Sequence, residues 1–275
     1  MKPLLVMDGD SFTHRAYHAL PSSMRREDGG PANALIGFSD MLMRLWRDEQ
    51  PRTVLVAWDT LDVPTYRHEA LEAYQSGRVF EDELLEQLDL LPGLVASMGF
   101  AFAKEAGYEA DDFLAAAAAH EEAAGGTALV ATSDRDAFQL VTDRVTVLQP
   151  AKGGPARIGP AEVRERYGVD PAQVPDFIAL RGDPSDKIPG APGVGAKTAA
   201  SLLAQYGSLD ALLEAGRFAA EAEALRSYRS IATFDATAPL PPLPVDGPEW
   251  ESVASAAEQL GLTRLAGRVR EAASS

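Results

Sequence analysis

Three short apolar runs, each closed by an aspartate, constrain this chain more than anything else in it. Leu4-Leu5-Val6-Met7 ends in Asp8, and Thr53-Val54-Leu55-Val56-Ala57-Trp58 ends in Asp59. Thr127-Ala128-Leu129-Val130-Ala131-Thr132 is followed two residues later by Asp134. Each run is too short for a helix and lacks polar alternation, so it reads as a strand buried on both faces. Apolar residues at helical spacing fill 34–46, 81–98 and 110–124 between them. Strands alternating with helices predict an α/β fold with a mostly parallel central sheet flanked by helices. In such sheets the ligand crevice opens at the carboxyl ends of the strands, which is where Asp8, Asp59 and Asp134 fall.

From about Pro160 the strand pattern stops. Helices are predicted at 160–167, 174–181, 196–205, 209–213 and 218–232. A proline cluster (Pro239, Pro241, Pro242, Pro244) follows, then helices at 249–260 and 264–273. This divides the 275 residues into an α/β domain, 1–170, and a helical domain, 171–275.

The acids form a pattern of their own. Glu109, Asp111 and Asp112 open the alanine-rich segment, Asp134 and Asp136 follow the third strand, and Asp183 and Asp186 sit in Gly-Asp-Pro-Ser-Asp. With Asp8 and Asp59 these make nine. Singly, each reads as a helix cap or a turn. Converging at one sheet edge, they repel one another and are costly to desolvate unless a cation binds. The chain has no cysteine, which removes thiolate metal sites, disulfides and cysteine nucleophiles. Oxygen-only ligands suit Mg²⁺ or Mn²⁺, and so many acids suit two or more ions, the arrangement that serves phosphoryl chemistry. His14 and His18 lack companion ligands and read as packing or DNA-facing residues; Trp46 and Trp58 read as core. Acids outnumber bases 41 to 25, for a net charge of −16. That excludes coating nucleic acid or anionic membrane non-specifically, but not a local contact. No apolar run is long enough to span a membrane, and the N-terminus lacks a signal pattern, so a cytoplasmic protein is expected.

In the helical half, Gly193-Val194-Gly195 with Ala199 after it opens a helix. A phosphate-binding P-loop needs glycine directly before lysine, and Ala196 stands before Lys197. The helix-hairpin-helix pattern fits instead, at about 186–206. Its glycines let backbone N–H groups approach a phosphate at a helix N-terminus, which suits an acidic protein.

Eight blocks in order resemble the flap endonuclease / 5′→3′ exonuclease family, in particular the 5′-nuclease domain of bacterial DNA polymerase I in stand-alone form. They are Val6-Met7-Asp8-Gly9, Arg15-Ala16-Tyr17-His18, Ala57-Trp58-Asp59, Tyr66-Arg67-His68-Glu69, Gly107 to Asp112, Thr132 to Asp136, Gly182 to Asp186 and Pro192 to Ala199. The resemblance implies a PIN-like nuclease core and a helical arch near 65–85. It places Asp8, Asp59, Glu109, Asp111 and Asp112 in one metal group, and Asp134, Asp136, Asp183 and Asp186 in a second. It implies catalytic roles for Asp8, Asp59, Glu109, Asp111, Gln75 and Arg78. DNA contacts are implied for Arg15, Tyr17, Arg67, Tyr74, Arg78, Gly190, Gly193, Gly195, Lys197 and Thr198, with a K⁺ ion at the glycine turn. The implied substrate is DNA with a 5′ flap, 5′ overhang or nick, cut by a monomer.

Two positions depart from the family pattern. Its arch reads Tyr-Lys-x-x-Arg, whereas here Tyr74-Gln75-Ser76-Gly77-Arg78 puts glutamine where the lysine faces the scissile phosphate. Its Asp-Asn after the last carboxylate is here Asp186-Lys187. These departures motivate one rival reading, a non-catalytic or weakly active DNA-structure-binding module. A second rival, a haloacid-dehalogenase-like phosphatase, draws on Asp8-Gly9-Asp10, Thr132 or Ser133, and the Gly182–Asp186 loop. It leaves Glu109 to Asp112 and the glycine turn without a role.

Overall fold

The computed structural model describes residues 2–61, 63–76, 79–244 and 247–273. Six strands form one sheet: β1 (Leu4–Asp8), β2 (Thr53–Ala57), β3 (Ala101–Ala103), β4 (Ala128–Ala131), β5 (Val145–Gln149) and β6 (Ala156–Ile158). Their order is β3-β2-β1-β4-β5-β6. Every pair is parallel except β5 with β6. Side chains alternate between the faces, as the two-residue period of a strand requires. Leu4, Val6, Leu55, Ala57, Ala128 and Val130 enter one buried cluster, and Leu5, Met7, Val54, Val56, Leu129 and Ala131 the other.

Helices cover both faces. After β1 come α1 (Gly9–Ala19) and α2 (Asn33–Glu49); after β2 come the short α3 (Tyr66–Ala70) and α4 (Asp82–Ser97). Phe12, Leu35, Phe38 and Leu88 carry α1, α2 and α4 to one face. The next crossover, α5 (Ala110–Ala123), lies on the opposite face, where Ala115 to Ala118 are all buried. The chain therefore changes direction between β1 and β4, the switch point at which open α/β sheets form their crevice. Register puts Asp8 opposite Ala57 and Met7 opposite Ala131. Asp8, Asp59 and Asp134 thus reach the same edge of the sheet.

Beyond the sheet lie α6 (Pro160–Tyr167), α7 (Val174–Arg181), α8 (Ala196–Tyr206), α9 (Leu209–Glu214) and α10 (Ala222–Ala232). α10 starts four residues later than its apolar pattern predicts. Gly216 and Phe218 take left-handed conformations, φ +79° and +51°, that a helix cannot include. The expected boundary at 170/171 meets a continuous core. Tyr167 stacks on Phe177 across it, with ring centroids 5.0 Å apart, and Phe138 packs at a tilt against Tyr167 at 5.5 Å. The apolar sides of α7 to α10 share one cluster with α5 and the sheet. The last helices, α11 (Trp250–Gln259) and α12 (Thr263–Ala273), leave that group altogether. Val253, Ala257, Leu265 and Val269 pack with α4 on the other face, so the expected helical domain 171–275 is split across the sheet.

Over 65–85, where a helical arch is expected, the described residues form α3, turns at 72–76 and the start of α4, and residues 77 and 78 lie outside the described residues. Gln75, at φ +47°, is incompatible with a continuous helix there. The pattern also missed α1, β3, β5 and β6. Among the described residues no helix is long and apolar enough to cross a membrane.

Because the core crosses the boundary, Phe177→Ala should destabilise the whole chain by about 3–5 kcal/mol. Denaturation followed by tryptophan fluorescence and by far-ultraviolet circular dichroism should show one shared transition shifted to lower denaturant. Two transitions, only one of them shifted, would mean the helical part folds alone.

Candidate active site

A cavity of about 800 Å³ opens at the carboxyl edge of the sheet. Seven of the nine expected acids line it: Asp8, Asp59, Glu109, Asp111, Asp134, Asp136 and Asp186. Asp8 ends β1 and caps α1, accepting the Ser11 N–H at 2.9 Å. The next residue has to be glycine, since a Cβ on Gly9 would lie 2.5 Å from the Trp58 indole. Thr132, just past β4, donates its hydroxyl to the other Asp8 oxygen at 2.7 Å and accepts the Asp134 N–H at 3.0 Å. Asp59 accepts the Ala110 N–H at 2.7 Å, which ties β2 to the start of α5. Glu109 accepts from Thr65 Oγ1 at 2.7 Å and from Tyr74 Oη at 2.9 Å. Asp134 accepts the Asp136 N–H at 2.9 Å.

An eighth acid, outside the expected nine, belongs to the site. Asp10 lines the cavity and accepts the Asp59 N–H at 2.7 Å. The sequence pattern assigned it only to the phosphatase rival. Its place two residues beyond the strand-ending Asp8 was the available signal.

Crowding shows in the acidities. Burial, with the charges of Asp59 and Asp134, pushes the Asp8 carboxyl up to about 7, against the hydrogen bonds from Thr132 and Ser11. Burial first, then neighbouring carboxylates, holds Asp10, Asp111 and Asp136 well above the ordinary range. For Asp111 the neighbours are Asp134 and Asp8; for Asp136 they are Asp134, Asp183 and Asp186.

Several assignments made from sequence change. Asp112, expected as a metal ligand, is fully buried and held by the guanidinium of Arg67 at 2.7 and 2.9 Å. Arg67, expected on DNA, is 1% exposed for the same reason. Asp183 stays out of the cavity, accepting the Ser185 N–H at 2.8 Å and facing Arg181 at 3.0 Å. Tyr74 and Tyr17, expected on DNA, are buried; Tyr17 Oη donates to Glu81 at 2.7 Å. Arg78 lies outside the described residues. Gln75 does reach the cavity, its amide donating to Tyr74 Oη at 2.8 Å and to Asp186 at 3.4 Å. Arg15, exposed, lies on the rim with His14 and His18.

The glycine turn separates into two kinds of residue. A Cβ on Gly190 would lie 2.5 Å from the Gly182 nitrogen, so this glycine lets the hairpin between α7 and α8 close. Gly193 and Gly195 are exposed, with open space where a Cβ would stand. Gly195 caps α8 without a side-chain hydrogen bond, and Lys197 and Thr198 are exposed in its first turn. That leaves an uncovered helix N-terminus on the surface.

Residues 3–168 match the 5'-3' exonuclease N-terminal resolvase-like domain, and residues 169–244 match the 5'-3' exonuclease C-terminal SAM fold. The chain belongs to the 5'-3' exonuclease family. A protein of Mycobacterium tuberculosis named 5'-3' exonuclease is 37% identical over 235 residues, covering 78% of this chain and 73% of that one. DNA polymerase I of the same organism is 45% identical over 215 residues, covering 77% of this chain. The chain spans only 24% of that polymerase's length. A bacteriophage T5 flap endonuclease, solved as a pseudo-enzyme-product complex with DNA and metal ions, shares the fold with a TM-score of 0.70. It is 18% identical, and the match covers 99% of this chain and 100% of that one.

The donor set fits hard divalent cations. It is all oxygen, it contains no thiolate, and its carboxylates raise one another's pKa across a shared cavity. Among the described residues no group of three or more His, Asp or Glu is arranged so that it could hold a metal ion as it stands. The acids line an open site.

Folding raises the affinity of these carboxyls for protons, so the unfolded chain binds fewer protons between about pH 4 and 7, and stability falls as pH rises through that window. In EDTA the melting temperature should be lower at pH 8 than at pH 6. Millimolar Mg²⁺ or Mn²⁺ should raise it more at pH 8. Asp111→Asn should raise the metal-free value at pH 8 by several degrees, at about 2–4 °C per kcal/mol relieved. Equal melting temperatures at both pH values, with and without metal, would contradict the crowding.

Proposed function

We propose that this protein is a structure-specific 5′ nuclease, hydrolysing phosphodiesters of DNA that carries a 5′ flap, a 5′ overhang or a nick, with Mg²⁺ or Mn²⁺ as cofactor. One observation carries the reading: eight carboxylates line a single cavity, and an exposed glycine turn at Gly193–Gly195 follows Asp186 by only a few residues. Membership of the 5'-3' exonuclease family supports it.

Divalent ions held by Asp8, Asp59, Glu109, Asp111, Asp134, Asp136 and Asp186 would activate a water and neutralise charge building on the phosphate. The chain's own groups do the rest. Thr132, Thr65 and Tyr74 orient Asp8 and Glu109 before substrate arrives, so little reorganisation is left for the reaction. Arg15 offers a cation to the entering strand at the rim. The N–H groups at the start of α8 hold duplex backbone without reading bases, with a K⁺ ion as the bridge implied by the family resemblance. Gln75 presents a neutral donor at the cavity, where a lysine would add charge.

Incubating a 5′-labelled flap duplex with Mg²⁺, with Mn²⁺ and with EDTA, and sizing the product, tests the reading directly. Metal-dependent release of the flap is expected. Asp111→Asn should lower cleavage at least about a hundredfold while leaving flap affinity in EDTA unchanged or tighter. Tight flap binding by the wild type with no cleavage would instead identify a DNA-structure-binding module. Activity confined to a small phosphomonoester would favour the phosphatase.

Gly195→Asp tests the turn. Its φ of −97° is ordinary and the added Cβ meets nothing, so folding should be unaffected. The carboxylate would stand where a phosphate must approach. Affinity for duplex-containing substrates, measured by anisotropy across a salt series, should fall; unchanged affinity in the folded variant would remove the turn from the DNA interface.

A further inference from the structure

Arg67 and Asp112 fit neither DNA contact nor metal ligation, yet they are the most completely bonded ion pair near the cavity. Arg67 Nη1 and Nη2 donate to the two Asp112 oxygens at 2.9 and 2.7 Å, and Nε donates to the Ile231 carbonyl at 3.0 Å. Asp112 also accepts the Glu109 N–H at 3.0 Å and the Asp235 N–H at 2.8 Å. Two parallel bonds to one carboxylate are a geometry that a guanidinium provides and an ammonium does not.

The group this pair holds in place is Glu109. Asp112 fixes its main chain, and Arg67 Nη1 lies 3.5 Å from its Oε2. Thr65 and Tyr74, which donate to its two carboxylate oxygens, flank Arg67 in the chain. The backbone and both oxygens of Glu109 are thus all set by a single cluster. We propose that Arg67 and Asp112 are positioning residues for the nuclease site: a buried ion pair that sets the Glu109 carboxylate at the cavity and couples it to the 65–75 segment and the end of α10. The proposal rests on the nuclease reading of the cavity. It also means that displacing the 65–75 segment withdraws the donors on Glu109.

A double-mutant cycle tests it, with wild type, Asp112→Asn, Glu109→Gln and the double variant assayed for flap cleavage in single turnover. Asp112→Asn should slow cleavage on the order of tenfold or more, the usual effect of losing a partner that orients a metal-binding group. In the Glu109→Gln background the same change should cost less than about twofold, because its effect has already been removed. Arg67→Lys should behave as Asp112→Asn does. Flap affinity in EDTA, and its salt dependence, should match wild type for both. Full, additive losses in both backgrounds would overturn the proposal. So would weaker binding with a shallower salt slope in Arg67→Lys, which marks a phosphate contact. Breaking half of a buried pair can unfold a protein, so Arg67→Met with Asp112→Leu, which removes both charges together, serves as the second variant. It should melt near wild type and show the same slow cleavage with unchanged affinity; wild-type cleavage in that folded variant would overturn the proposal too. A wild-type protein that cuts no flap sinks the nuclease reading, whereas wild-type cleavage with additive losses sinks only the positioning role.

Discussion

Carboxylates held closer together than their charges favour are the constraint on which this molecule depends. Asp8, Asp10, Asp111 and Asp136 are each driven toward their neutral form by burial and by one another. Nothing local makes that arrangement favourable. It persists because donors are aimed at the acids from several elements: the N–H groups of Ser11, Asp59, Ala110 and Asp136, and the hydroxyls of Thr132, Thr65 and Tyr74. Those donors stand still only because the sheet beneath them is packed on both faces. The core thus offsets the electrostatic cost at its edge, and a divalent cation bound there would turn that cost into affinity.

The same economy would let a chain of net charge −16 hold a polyanion. Few basic side chains are needed where main-chain N–H groups do the binding. The hairpin between α7 and α8 illustrates a division of labour among glycines. Gly182 and Gly190 let two backbone segments touch, whereas Gly193 and Gly195 leave space for something outside the protein. The loop that carries Asp186 to the cavity runs directly into this turn.

Buried ion pairs seldom add net stability, because desolvation offsets their attraction. Arg67 and Asp112 make sense instead as a means of joining segments far apart in the chain. The pair brings the 65–75 segment, the start of α5 and the end of α10 to one point beside the cavity. The energetic question for this site is therefore one of geometry rather than of stability.

What the sequence determined by itself was the sheet, the edge and the class of chemistry. Continuous apolar runs closed by aspartates can satisfy burial only as central parallel strands, and their register sends Asp8, Asp59 and Asp134 to one end. Helices bounded by proline in the first turn and glycine at the C-cap, such as α6 and α7, were legible to the residue. Three-residue β3 and β6 were not, because so short a strand exists only through its neighbour's hydrogen bonds. Nor was α1, whose Gly-Asp-Ser start reads as a turn until Asp8 caps it. Only the tertiary structure separated acids that face the cavity from acids that do not. Asp111 and Asp112 are adjacent in sequence and identical in type, yet successive helix positions point about 100° apart. One therefore meets the open cavity and the other meets Arg67. Direction, and the partner found in that direction, is decided by packing, and that is the information a pattern of residue types does not contain.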